Sequence, residues 1–383
     1  MAQPIVLTKP SLSSKEKKYL LQALEAPLQH RHWAGDGPFT RKCTALLEKR
    51  LDANKVLLTT SATHALDLAA LLLNLGVGDE VIVPSFAFSS TVNCLMLTGA
   101  KPVFVDIRED TLNIDEALIE ENITRRTRAI IPIHYAGVSC NMKRINAIAK
   151  AHKLMVVEDA AQAVNARYQD RFLGTIGDLG IYSFHESKNY SCGEGGALVI
   201  NNRRFEERAE ILREKGTNRS KYFRGEVNKY TWVDIGSSYL PSDLLAAILY
   251  AQLERLSAIQ RRRKFLYRRY EQNLSMLAQG GKLRLPTIPP DCQSNYHIFY
   301  ILLSTEKVRN NLMNILKSQG ILAVFHYIPL HLSPMGIKLG YQKGDLRRTE
   351  EFSGRLLRLP LYPDLTTKQQ DLVIRSIQRF FRQ

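Results

Sequence analysis

A lysine that follows an apolar segment is the residue of this chain best suited to covalent chemistry. Lys188 comes shortly after the predicted strand at 181–184, and the glycine-rich stretch Gly193–Gly196 follows it. A lysine held in a cleft of this kind can have a lowered pKa and act as an imine-forming nucleophile. Most lysines lie on the surface instead, and the glycines are equally compatible with a plain hairpin turn.

A carboxylate stands at the end of another predicted strand. Asp159 follows the apolar run at 154–158. Because it would be partly desolvated there, it needs a cation or hydrogen-bond donors to stay ionised. An aspartate capping the next helix is an equally good interpretation of this segment alone.

A third segment combines small and hydroxyl residues between a predicted strand and a predicted helix. In Thr60–Thr63 the helix would begin with free backbone N–H groups, which favour a phosphate. Taken alone, this segment is better explained as an ordinary helix N-cap.

The three segments together are more specific than any one of them. Asp159 precedes Lys188 by 29 residues, Ser183 precedes it by five, and the Ser/Thr segment lies upstream of both. An amine, a carboxylate and a phosphate cup are the parts that pyridoxal phosphate needs.

The predicted elements would bring these segments to one edge of a sheet. From about residue 54, apolar runs at 56–60, 80–84, 102–106, 129–134, 154–158, 181–184 and 197–200 alternate with helical patterns at 62–75, 89–97 and 142–152. This alternation predicts crossover units and a mostly parallel sheet. Ligands of such sheets bind beyond the carboxyl ends of the strands.

The pattern changes after about residue 240. One or two long helices are predicted at 242–277, strands near 297–303 and 322–327, and helices near 306–319 and 367–382. We therefore expect a large domain at 1–250 and a smaller α+β domain at 251–383.

Composition restricts the class of protein. Of 383 residues, 45% are hydrophobic and 23% charged, which is typical of a globular protein, and the net charge of +16 favours anionic partners. The five cysteines are widely spaced, so we expect neither a disulfide framework nor a metal site. Met1–Ser14 has no apolar core of the signal-peptide kind, and no apolar stretch reaches 18 residues. These features predict a cytoplasmic protein without a membrane span.

The chain resembles the sugar aminotransferases of the DegT/DnrJ/EryC1 family, from residue 37 to residue 363. The longer strings that carry the resemblance are Ser183–Glu186, Lys188–Tyr190 and Tyr230–Leu244. The resemblance implies the α/β fold of fold type I, that of aspartate aminotransferase, and a homodimer with sites at its interface. It also implies pyridoxal 5'-phosphate as cofactor and L-glutamate as amino donor. The strings are most similar to members that aminate C4 of TDP-4-oxo-6-deoxy-D-glucose for enterobacterial common antigen.

The resemblance also implies roles for individual residues. Lys188 matches the Schiff-base lysine and Asp159 the partner of the pyridine nitrogen; these two are the catalytic pair. Gln162 matches the residue beside the phenolic oxygen of the cofactor, and Phe88 matches the aromatic residue that stacks on the cofactor ring. The residues that match phosphate contacts are Ala62, Thr63 and Ser183. Ser238 stands where relatives carry an asparagine that reaches the phosphate in the partner subunit's site. His331 matches a histidine near the substrate, and a polar residue capping a turn is the equal alternative.

Three alternatives remain at this level. The acceptor could be a C3-oxo sugar or a UDP sugar. A dehydratase of the same family is disfavoured, because those enzymes carry histidine where this chain has Lys188. The net charge and the basic run at 261–269 are also compatible with a nucleic-acid-binding or regulatory protein. The sequence contains no recognised nucleic-acid-binding module, however, and we expect no nucleic-acid partner.

Overall fold

The structure is a computed structural model that describes residues 4–26 and 33–382. Its α-helices are α1 (Ser14–Glu25), α2 (Pro38–Leu51), α3 (Ala62–Leu72), α4 (Ser90–Thr98), α5 (Met142–His152), α6 (Glu206–Arg213), α7 (Arg219–Phe223), α8 (Asp243–Leu253), α9 (Leu256–Gln279), α10 (Glu306–Ser318), α11 (Pro334–Lys338), α12 (Arg347–Arg355) and α13 (Thr367–Phe380). Its strands are β1 (Lys55–Thr59), β2 (Glu80–Pro84), β3 (Lys101–Val105), β4 (Thr127–Ile130), β5 (Met155–Asp159), β6 (Arg167–Tyr168), β7 (Arg171–Phe172), β8 (Leu179–Ser183), β9 (Gly196–Ile200), β10 (Cys292–Gln293), β11 (Phe299–Leu302) and β12 (Leu356–Leu359).

A seven-stranded sheet forms the centre of the fold. Its strand order is β1-β9-β8-β5-β4-β2-β3, and the neighbours from β8 to β3 are parallel. Strand β9 is antiparallel to both β1 and β8, because the glycine-rich segment returns the chain directly beside β8. The predicted α/β class and mostly parallel sheet are confirmed.

Both faces of this sheet are covered, so its strands are nearly continuous apolar runs. Successive residues of a strand point to opposite faces. Val156 accordingly packs in one apolar cluster with residues of α2, α5 and α8, while Val157 packs in another with residues of α3, α4 and α6. The result is a three-layer arrangement with helices on both faces of the sheet.

The C-terminal residues build a further cluster around the antiparallel pair of β11 and β12. Side chains from α9, α10 and α13 pack against it, and Ile5 joins it through a bridge to Ile321. The N-terminal segment thus packs with the C-terminal unit.

The predicted strand at 322–327 is wrong. Only Val324 pairs there, in an isolated bridge to Arg358, and β12 takes the place beside β11. Val324 lies along the edge of β12 opposite β11, and the segment does not continue as a strand beyond this bridge. The segment at 242–277, predicted as one or two long helices, forms two, α8 and α9.

No helix within residues 4–26 and 33–382 is long and apolar enough to cross a membrane. The five cysteines are buried and free.

Candidate active site

A cavity of about 540 Å³ opens at the carboxyl ends of β5 and β8. It is the place where the parallel strands of the sheet direct their last side chains. Most of the residues predicted for the site line it: Ala62, Thr63, Phe88, Asp159, Gln162, Ser183 and Lys188.

Lys188 lies in the loop that follows β8. Its backbone N–H donates to the carbonyl of His185 at 2.9 Å, which fixes the turn. Burial lowers the pKa of the Lys188 ammonium from 10.5 to about 8; the carboxylate of Asp159 opposes this shift and the charge of Arg358 adds to it. With this pKa about a tenth of Lys188 is a neutral amine at pH 7, far more than for a lysine of ordinary pKa.

Asp159 ends β5 and is held by two donors. Its Oδ2 accepts from the Thr91 hydroxyl at 2.7 Å, and its Oδ1 accepts from the backbone N–H of Ala161 at 3.1 Å. Asp159 is only 6% exposed. The carboxylate is thus pre-oriented in a desolvated place. Sequence reasoning missed Thr91, although it lies in the first turn of a predicted helix.

Gln162 connects the sheet to the C-terminal unit. Its side-chain oxygen accepts from the backbone N–H of Ala136 at 2.7 Å, and its side-chain nitrogen donates to the Tyr327 hydroxyl at 2.9 Å. Burial raises the pKa of Tyr327, which therefore remains a phenol. Tyr327 also lines the cavity and was not anticipated from the sequence.

The first turn of α3 forms the floor of the cavity. Ser61 caps the helix by accepting from the backbone N–H of His64 at 3.1 Å, while the N–H groups of Ala62 and Thr63 have no partner within the helix. Gly196 approaches so closely that a Cβ there would lie 2.4 Å from the Ala62 nitrogen. The N-terminus of α3 and Gly196 together form the kind of cradle that binds a phosphate.

Two predicted residues lie outside the lining. Ser238 is exposed and bridges Glu214 in an extended segment. His331 is fully buried, with Nδ1 at 2.7 Å from the Ser85 hydroxyl and Nε2 at 3.1 Å from a carboxylate oxygen of Glu350. This geometry favours the structural alternative for His331.

Basic residues of the C-terminal unit form the opposite wall. His297, His326 and Arg358 all line the cavity. Burial, followed by the charge of Lys188, lowers the pKa of His297, so this histidine is neutral. The sequence offered one signal that was not used, since Arg358 is a lone charge within the otherwise apolar strand Leu356–Leu359.

These groups fit pyridoxal phosphate. An amine of lowered pKa, a buried carboxylate and a glycine-lined helix N-terminus share one cavity of suitable size. They would hold the aldehyde, the ring nitrogen and the phosphate respectively.

Comparisons with known proteins point the same way. The model of the DegT/DnrJ/EryC1/StrS aminotransferase family matches residues 14–378. The spore coat polysaccharide biosynthesis protein SpsC of Bacillus subtilis is 33% identical over 96% of this chain and 95% of its own. Among solved structures, S. venezuelae DesV is 30% identical with a TM-score of 0.90 over 100% of both chains. NtdA of Bacillus subtilis, with bound cofactor PMP, is 30% identical with a TM-score of 0.87 over 97% of this chain and 83% of its own.

Proposed function

The chain belongs to the DegT/DnrJ/EryC1/StrS aminotransferase family and is a pyridoxal-phosphate-dependent sugar aminotransferase, and on that premise we propose that it acts on a TDP-linked sugar. The amino group of L-glutamate is transferred to C4 of TDP-4-oxo-6-deoxy-D-glucose. The products are TDP-4-amino-4,6-dideoxy-D-galactose and 2-oxoglutarate, and the amino sugar serves a surface polysaccharide of the enterobacterial common antigen type.

The observation that carries the transaminase chemistry is the meeting of Lys188 and Asp159 in one cavity. The finer assignment of the sugar rests on the strings Ser183–Tyr190 and Tyr230–Leu244. The positive net charge favours a substrate that carries a diphosphate.

The residues of the chain have separate tasks in this reaction. When bound, pyridoxal phosphate supplies a ring that accepts electrons from the donor's α-carbon. Lys188 would hold the cofactor at rest and, once freed, would take a proton from the donor's α-carbon as general base and deliver it to the cofactor as general acid. Asp159 would keep a proton on the ring nitrogen, and Gln162 would serve the phenolic oxygen. Phe88, which also lines the cavity, would cover the ring.

The phosphate is held by the floor of the cavity. Ala62 and Thr63 offer backbone N–H groups, and the Ser183 hydroxyl lies at the end of β8. We include a homodimer in the proposal, with the exposed segment that contains Ser238 reaching the phosphate of the other subunit.

Part of the basic run of α9 has a structural role. Arg263 is buried and donates to the carbonyls of Tyr296 and His297, at 2.9 and 2.5 Å. Arg269 forms an ion pair with Asp371 at 2.5 Å. These two cations are used within the chain, which leaves Arg261, Lys264 and Arg268 exposed, and Arg268 pairs with Glu271.

The test is a substrate panel. Purified protein with pyridoxal phosphate and L-glutamate is offered TDP- and UDP-linked 4-oxo and 3-oxo sugars, and each product is identified by NMR. We expect the TDP-linked 4-oxo-6-deoxy sugar to react best and H4 to show small couplings, as for an axial amine. Lys188→Ala is the control and should show no sustained turnover.

Three outcomes would overturn parts of the proposal. Large couplings from H4 to both ring neighbours mean an equatorial amine and exclude the galacto product. A clear preference for a UDP sugar would exclude TDP as the nucleotide of the substrate. Amination at C3 would exclude C4 as the reacting carbon.

A further inference from the structure

A second recess, of about 400 Å³, lies between the end of α2, α9 and the segment at 288–296. Four cations line this basic pocket, Arg50, Arg261, Lys264 and Arg268, and in the part of the chain that the structure describes no carboxylate lines it. We propose that the basic pocket is a second ligand site, for a small molecule that carries two adjacent phosphates, and that its occupancy is sensed in the active site.

Three of the cations stand on one face of α9. Arg261, Lys264 and Arg268 are separated by three and four residues, a spacing that places helix side chains next to one another. Arg268 pairs with Glu271 at 2.7 Å, whereas neither Arg261 nor Lys264 has a carboxylate within 4.0 Å among the described residues. Like charges at this spacing repel each other. An anion bound between them would relieve that repulsion.

The fourth cation comes from α2 and is held in place by neutral groups. Nε and Nη2 of Arg50 both donate to the side-chain oxygen of Asn165, at 3.1 and 3.0 Å. The side-chain nitrogen of Asn165 donates in turn to Gln260, whose own side-chain nitrogen donates to the carbonyl of Ser294 at 3.2 Å. Because these acceptors carry no charge, the guanidinium of Arg50 is oriented but its charge is not compensated.

The charge and size of the basic pocket select the class of ligand. Glu271 compensates one of the four cations, so about three positive charges remain. Two adjacent phosphates carry roughly two to three negative charges at neutral pH, whereas a single carboxylate carries one. Arginine binds phosphate oxygens through paired N–H groups. The volume suits a small molecule, and a nucleic acid would need cations spread along a face and not gathered in one recess.

One wall belongs to both the basic pocket and the active-site cavity. Ser294 and Tyr296 line the basic pocket, whereas the next residue, His297, lines the active-site cavity. Gln162 and Asn165 are divided in the same way, with Gln162 in the active-site cavity and Asn165 in the basic pocket. The two cavities thus lie back to back across these two segments.

Hydrogen bonds connect this wall to the loop that carries Lys188. The side-chain nitrogen of Asn295 donates to the carbonyl of Gln162 at 2.9 Å. Asn189, the neighbour of Lys188, donates to the carbonyl of Asn295 at 3.0 Å, and its side-chain oxygen faces Nδ1 of His297 at 2.9 Å. A ligand that displaces the wall from the side of the basic pocket would therefore change the surroundings of Lys188.

The experiment measures binding of inorganic pyrophosphate to the holoenzyme by calorimetry. The double variant Arg261→Gln/Lys264→Gln should raise the Kd for pyrophosphate by about tenfold or more, as expected for the loss of two charged contacts. Both side chains are exposed, so the fold should not change. Lys368→Gln/Arg375→Gln removes two exposed cations from α13 and is the control of equal net charge, which should bind pyrophosphate as wild type does.

The absorbance of the bound cofactor reports whether the active site senses the ligand. Saturating pyrophosphate should shift this absorbance in wild type and in the α13 control, but not in the α9 double variant. If the double variant melts early, Arg50→Gln, which removes a cation from a different helix, takes its place and should weaken pyrophosphate binding in the same way.

Four results would overturn the proposal. Equal pyrophosphate affinity in the double variant and its control would remove the ligand from the basic pocket. An absorbance shift that persists in the double variant would place pyrophosphate in the active-site cavity instead. Binding without any shift in wild type would overturn the sensing. A short DNA duplex that binds more tightly than pyrophosphate, and loses affinity in the double variant, would make this surface a nucleic-acid-binding face.

Discussion

Lys188 owes its reactivity to its surroundings. In solution its ammonium would lose a proton near pH 10.5, whereas burial lowers its pKa to about 8. The neutral amine is the form that attacks an aldehyde. The same residue elsewhere on this basic surface would be almost fully protonated at neutral pH.

This shift predicts how the apoprotein takes up its cofactor. The rate of attachment of pyridoxal phosphate should rise about tenfold per pH unit below pH 8 and level off above it, because the neutral fraction then saturates. Stopped-flow absorbance measures this rate. Arg358→Gln should move the plateau to higher pH, since it removes a repelling charge. A rate that climbs steadily to pH 10 would contradict the lowered pKa.

Two adjacent acids on β5 should differ completely in role. Asp159→Asn should slow turnover by about two to three orders of magnitude, as for loss of a pre-organised charge, with little change in melting temperature. Glu158 is 0% exposed, faces His134 at 2.9 Å and accepts from the backbone N–H groups of Gly174 and Gly177. Glu158→Gln should therefore lower the free energy of unfolding by about 2–4 kcal/mol.

Denaturant unfolding and steady-state rates measured on both variants check this pair. The reverse result, an inactive but stable Glu158→Gln and a nearly normal Asp159→Asn, would mean that the partner of the ring nitrogen is misassigned.

At the scale of elements, the site depends on how closely β9 meets α3. The register pairs Ser183 with Gly196, and Gly196 lies against the Ser61–Ala62 peptide. A side chain at this position would push the first turn of the helix away from the end of β8.

Gly196→Ala should therefore weaken cofactor binding. A Cβ at this position would lie 2.3 Å from the carbonyl carbon of Ser61. Because that contact is too short, the backbone at Ser61 would have to move. We expect the Kd for pyridoxal phosphate to rise by about tenfold or more, equivalent to roughly 1.4 kcal/mol. Gly76→Ala is the matched control, since nothing lies within 4 Å of its added Cβ. Equal affinities in both variants, by fluorescence titration, would argue against this phosphate cradle.

At the scale of the whole molecule, the end of α7 and the irregular segment that follows it expose several large apolar side chains. Phe223, Tyr230, Trp232 and Ile235 are 67%, 52%, 77% and 54% exposed. Clusters of this kind mark interaction surfaces in soluble proteins. They immediately precede Ser238, for which we propose a contact across a dimer.

Trp232→Glu should therefore shift the protein from dimer towards monomer, because it would bury a charge in the interface. Sedimentation velocity at micromolar concentration measures this, and cofactor retention after gel filtration should fall in parallel. Leu97→Glu, at a position 75% exposed on α4, is the control. A Trp232→Glu protein that remains dimeric would place the interface elsewhere.

The sequence by itself indicated the strands of the central sheet and two residues expected at its edge, Lys188 and Asp159. The strand at 80–84 and the helix at 142–152 have the predicted bounds, because apolar runs and helical periodicity are local properties. These two residues could be singled out for a similar reason: Asp159 ends β5 and Lys188 follows β8, and parallel strands bring their carboxyl ends to one edge.

Only the tertiary structure decided which distant residues complete the site. Thr91 reaches Asp159, and Tyr327 reaches Gln162, across 68 and 165 positions of the chain. The strand predicted at 322–327 is reduced to the bridge between Val324 and Arg358, because pairing depends on a distant partner and not on the local pattern. Arg358 enters the cavity and His331 is buried against Ser85 and Glu350. Long-range contacts of this kind follow from how whole layers pack, and no periodicity along the chain encodes them.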